Sequence, residues 1–238
     1  MPTRDRLRAE ILIVLAVTFG TSALRAILRL IDSLLAPAAL NEQAVTLNDA
    51  HSDLSWLDLA LQAASALTLF AWGALALFLL GARLPLPRGR DWLHGAGLAA
   101  LIGIPGLALY VTAVHLGWSK EVVVATDAAR LPTLLLWSAA NAFGEELVVV
   151  AWLCTRLKQL GWSPARFIAA SAILRGAYHL YQGVSAGFGN IVMGVVYAWY
   201  YHRTGRIWPL ILGHFLIDAT AFLGYRFLDP SILAIFGI

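Results

Sequence analysis

The sequence predicts an all-α, polytopic transmembrane bundle of about seven to eight helices, and three observations predict it. Of the 238 residues, 60% are apolar and only 13% charged, against roughly half and a quarter in a soluble domain. Seven apolar segments follow one another, over roughly 10–36, 56–82, 92–117, 131–154, 166–182, 188–202 and 207–225. The basic residues between them fall on alternate connections. This composition excludes a nucleic-acid binder: the pI of 9.2 comes from arginines in short loops, where membrane topology accounts for them.

The first segment opens with Arg4, Arg6 and Arg8 and runs apolar from Ile11 to Ala23. A signal peptide would share that pattern, but Arg25, Arg29 and Asp32 continue it at helical spacing, as in a retained amphipathic helix. The loop from Pro37 to Ser55 lacks Lys and Arg and carries Glu42, Asp49 and Asp53, as an external loop should. Pro105 is expected to kink the third segment. Gly183-x-x-x-Gly187 has the spacing of a close helix approach or of a flexible loop. The tail from Ser231 to Ile238 is too short to cross the bilayer and is expected to pack as a partial helix. Trp56, Trp92, Trp118, Trp162 and Trp208 sit where interfacial anchors belong. Cys154 stands alone, so it forms no internal disulfide and is expected to pack.

Eleven basic residues sit at the N-terminus and on the second, fourth and sixth connections. The opposite side holds three, Lys120, Arg130 and Arg226. The excess predicts a cytoplasmic N-terminus. The chain reads as one integral membrane domain, with N-terminal helices over 1–125 and a polar-bearing helical core over 126–238.

That second part carries Glu145-Glu146, Arg175-x-x-x-His179 and His214-x-x-x-Asp218 inside apolar segments. A charge near the bilayer centre costs about 2.5–3.5 kcal/mol on insertion scales, so such residues imply a site. Counted from the nearest basic loop residue at ~1.5 Å per residue, Glu145 lies ~16 Å deep, Arg175 ~14 Å, His179 ~20 Å, His214 ~12 Å and Asp218 ~18 Å. Three helices thus bring their polar groups to one layer. Arg175 and His179 share a face, as do His214 and Asp218. Glu145 and Glu146 point about a quarter-turn apart and need different partners; Arg175 is the natural cation for one of them. His51, His94, His115 and His202 lie at segment ends or in loops, away from this layer.

Two chemistries are open to these residues. A buried glutamate beside a histidine activates water, while a second histidine with an aspartate steadies an oxyanion. Alternatively Glu145, His179 and His214 ligate zinc, although no His-Glu-x-x-His motif is present. A transporter would use the same residue types as an ion relay, but its repeated halves have no counterpart in the first half here.

The Glu-Glu pair, the later histidine and the His-x-x-x-Asp resemble the CAAX-protease and bacteriocin-processing family of intramembrane endopeptidases (CPBP, also called Abi). The resemblance covers Leu131 to Phe222. It implies that Glu145 and His179 activate water, that His214 and Asp218 support the oxyanion, and that the substrate is a peptide or protein in the bilayer. The family is often labelled a metalloprotease, although a metal-free glutamate mechanism also fits its residues. Two positions depart from the family's Glu-Glu-x-x-x-Arg and Phe-x-x-x-His patterns. Glu145-Glu146-Leu147-Val148-Val149-Val150 ends in valine, and Arg175 stands in place of phenylalanine. The expectation is a relocated cation, with Arg175 pairing Glu146. An inactive member serving as membrane scaffold or immunity factor is the alternative. The Ala-, Leu- and Arg-rich composition with few lysines suggests a bacterial cell-membrane protein, whose substrate is then a peptide or bacteriocin leader rather than a prenylated protein.

Overall fold

The computed structural model describes residues 3–124 and 131–227. The expected partial helix of the tail lies outside them, as does Arg130. Nine α-helices and two short strands occur among the described residues: α1 (Arg4–Val17), α2 (Phe19–Leu35), β1 (Ala44–Leu47), α3 (Ser55–Leu80), α4 (Gly89–His115), β2 (Glu121–Val124), α5 (Leu131–Glu145), α6 (Leu153–Gln159), α7 (Pro164–His179), α8 (Val184–Thr204) and α9 (Trp208–Phe227). A π-helical segment, Glu146–Trp152, joins α5 to α6 without a break. The result is an all-α multi-pass membrane bundle.

The first predicted segment is two helices bent by 50° at Thr18. Thr18 turns its hydroxyl back to the Val14 carbonyl at 2.6 Å, an interaction that competes with the regular helix ladder. The second and third segments match α3 and α4, and α4 runs on through Pro105. The fifth predicted segment ends as α-helix at His179, followed by a single 3-10 turn, Leu180–Gln182. Gly183 lies in that turn, and Gly187 packs under Leu180.

Burial separates the spans. Among the described residues, three stretches are long and apolar enough to cross a membrane unaided: Ser55–Leu80, Gly89–His115 and Leu131–Gln159. Only 17% of the α3 and α4 windows is buried, against 67% of the α5–α6 window. The α5–α6 rod is therefore the central post, and α3 and α4 turn most of their surface outward. The core gathers Val148, Val149, Val150 and Trp152 of this post with Ile11, Phe19, Ala76, Leu98, Tyr197 and Leu210 from both halves of the chain. Cys154 is buried in that core as expected.

The two acidic-side loops hold a structure that the sequence does not announce. β1 and β2 pair in parallel, with Ala44 opposite Glu121 and Leu47 opposite Val124. Parallel pairing needs a crossover connection, supplied here by α3 and α4. The pair also puts the loops before α3 and after α4 at the same end of the bundle. The turn after α7 joins them: Lys120 N donates to Gln182 O and Val184 N to Trp118 O.

Candidate active site

Three helices build the site, and each carries a glycine beside its polar residue. A Cβ on Gly144 would come within 2.8 Å of the Leu69 carbonyl, one on Gly176 within 2.6 Å of the Gly187 carbonyl, and one on Gly213 within 2.9 Å of the Gly95 carbonyl. These are closer than real Cβ contacts, so the bare backbone lets α5 approach α3, α7 approach α8 and α9 approach α4. Glu145, Arg175 and His214 are thereby drawn into one interior layer.

Arg175, fully buried, is the hub. Its Nη2 donates to Glu146 Oε1 at 2.6 Å and its Nη1 to Glu145 Oε2 at 3.2 Å. One planar guanidinium thus reaches both carboxylates, a geometry that its rigid fork of donors suits. The Tyr197 ring lies 5.7 Å from the guanidinium carbon on another side. Two carboxylates side by side repel, and shared pairing offsets part of their desolvation cost. The sequence expected Arg175 against Glu146 alone; the structure has it against both.

Exposure and the second donor divide the glutamates. Glu146 is completely buried, and its Oε1 also accepts from His214 Nδ1 at 2.8 Å. Glu145 keeps 6% exposure, and its Oε2 accepts from the Tyr178 hydroxyl at 2.6 Å. Among the described residues neither glutamate's second oxygen has a hydrogen-bond partner, and that of Glu146 is sealed from solvent.

The histidine tautomers follow from their partners. A carbonyl only accepts, so His179 Nδ1, 3.0 Å from the Arg175 carbonyl, carries its proton and leaves Nε2 as the bare nitrogen. His214 Nδ1 likewise donates to Glu146. His214 Nε2 faces Asp218 Oδ1 at 3.6 Å, too far for a hydrogen bond but close enough for attraction. The sequence expected His214 and Asp218 to act as a pair; here Glu146 supplies the hydrogen bond to His214 and Asp218 a flanking charge. Asn141, one turn before Glu145, bonds to the Asp218 side chain.

The zinc alternative would need Glu145, His179 and His214 gathered around one ion. No three His, Cys, Asp or Glu residues among the described residues are grouped to hold a metal ion.

Two further residues join the site. Tyr178 lies three residues after Arg175, on the same helix face, and holds Glu145. Asn141, four residues before Glu145, was legible by the same rule. The π-helical segment was not legible. Such segments occur often at functional sites, and this one begins at Glu146.

The fold and the site define a class: an integral membrane helical protein with a buried carboxylate–guanidinium–imidazole cluster. Residues 127–220 match the family model described as Rce1-like, type II CAAX prenyl endopeptidase Rce1-like. That is the family of membrane proteases that the Glu-Glu, His and His-x-x-x-Asp motifs resemble, and the matched segment contains every site residue named above. No curated protein and no solved structure matches the chain.

Proposed function

We propose that this protein is an intramembrane endopeptidase that hydrolyses a peptide bond with water activated by Glu145 and His179. The observation that carries the reading is the division of labour between the adjacent glutamates. Glu146 is fully buried, bound through Oε1 by Arg175 and His214 and sealed from solvent at Oε2, while Glu145, held through one oxygen by Arg175 and Tyr178, is the glutamate that keeps some exposure. In the proposed reaction Glu145, assisted by His179 Nε2, takes a proton from water as the oxygen attacks the peptide carbonyl. His214 in its protonated form donates from Nε2 to the oxyanion, and Asp218 balances that charge. The C–N bond then breaks, and the leaving amine takes the proton held on the Glu145–His179 side. Arg175 and Tyr178 position Glu145. The positive-inside count supports a cytoplasmic N-terminus in a bacterial cell membrane, with a peptide or protein substrate.

Detergent-purified protein should cleave members of a fluorogenic peptide library, with and without a zinc chelator alike. Glu145→Ala and His179→Ala should each lower kcat by about 10²–10⁴, the usual contribution of a general base. Cleavage that survives both substitutions would sink the assignment. No cleavage by folded, monodisperse wild type would favour the inactive scaffold.

A further inference from the structure

A cleft of about 300 Å³ opens at the arginine-rich end of the bundle, away from the active site. Its rim combines Arg83, Arg88 and Arg206 with Tyr201 and Trp208. Asp91 is the one acidic residue in its lining. Both oxygens of Asp91 are engaged: one accepts from Arg206 Nη2, the other from the Arg88 backbone N–H at 2.7 Å. Arg83 is exposed and makes no ion pair among the described residues. Three guanidiniums against one carboxylate leave an excess of positive charge. α9 also begins here, at Trp208, with no acidic residue in its first turn, so its N-terminal end adds to the positive field.

The rest of the lining is apolar. Leu77 and Leu80 of α3 form one wall, and Leu147 and Ala151 of the π-helical segment form the floor. Leu84 and Leu86 extend the apolar lining, and Leu86 is 87% exposed. A small cleft that sets arginines and aromatic rings beside an exposed leucine matches one ligand chemistry: a phosphate joined to an acyl chain. The volume lies at the small end of ligand sites and suits a headgroup rather than a larger molecule. A free phosphate would use the arginines but not the apolar lining.

We infer that this cleft is a binding site for the headgroup of an anionic phospholipid, with the acyl chain leaving along α3. Basic pockets between helices on the cytoplasmic side are suited to such headgroups, and this is the end that the charge bias assigns to that side. Leu147 follows Glu146, so the bound lipid would brace the segment carrying the glutamate pair.

The test is binding, independent of any proteolysis. The whole protein is placed in nanodiscs of phosphatidylcholine with or without phosphatidylglycerol, and retained lipid is counted by native mass spectrometry. Wild type should retain one phosphatidylglycerol in preference to phosphatidylcholine. Arg83→Gln with Arg88→Gln should weaken retention about 30-fold, at roughly fivefold per arginine near a lipid surface. Lys158→Gln with Arg166→Gln, an equal charge loss on another connection, should leave it unchanged. If the cleft double variant aggregates, Arg83→Gln alone, at an exposed side chain without an ion pair, should still show about fivefold. Equal losses in both double variants, or no preference over phosphatidylcholine, would overturn the site. Displacement by inorganic phosphate at equal concentration would make it a free-anion site and overturn the lipid.

Discussion

Arg156 and Arg175 are both buried and both face glutamates, one at each level of the central post. Arg156 meets a single carboxylate, Glu10 of α1, at 2.7 Å. Its other donors go to Gln159 and to the Leu79 carbonyl, and Trp152 shares the Glu10 oxygen. Arg175 meets two carboxylates and engages one oxygen of each. The first cluster is closed, with one charge of each sign, and ties α1 to the post. The second gathers more carboxylate oxygens than its cation occupies. A charge-matched pair is mortar; a carboxylate in excess of its cation can do chemistry.

Substitutions can break that comparison. The largest effect is expected from Arg175→Leu, which strands two buried carboxylates. It should cost about 3–5 kcal/mol of stability, read as a lowered thermal midpoint in detergent, and abolish cleavage. Pairing Val150→Arg with Arg175→Phe restores the cation at the position the related motif uses. Recovery of both stability and cleavage would establish a relocated cation; stability without cleavage would show that Arg175 also orients Glu145.

Tyr178→Phe keeps the ring and removes one donor from Glu145. A hydrogen bond to a charged group is worth ~1.5 kcal/mol, so cleavage should fall by about tenfold with little change in stability. A loss of stability without a rate effect would make Tyr178 a packing residue. The smallest effect belongs to the closed cluster. Glu10→Gln keeps an acceptor for Trp152 and should cost about 1–2 kcal/mol of stability, leaving kcat intact. A loss of kcat there would mean that the two clusters are coupled through the post.

Much of this was legible in the sequence because it rests on periodicity. The helices at 55–80 and 89–115 follow from long apolar runs, and Arg175, His179, His214 and Asp218 follow from i,i+4 spacing at matched depth. What was not legible depends on partners. Val148, Val149 and Val150 look alike in an α- or a π-helix, so the apolar run hid the π-helical segment. Thr18 breaks the first segment through a backbone contact that no periodicity records. β1 and β2 are four residues each, and their register exists only because α3 and α4 return the chain to the same end.

That last pairing has a consequence for assembly in time. The strands lie 77 positions apart, Ala44 to Glu121, and both intervening helices must be in the membrane before they can meet. At ~5–20 residues per second, β1 waits about 4–15 s on the ribosome for its partner. The parallel pair is then a latch that closes only on a correctly inserted hairpin. A chain whose α3 or α4 failed to insert would leave its two halves on opposite sides of the bilayer, with the latch open to proteases.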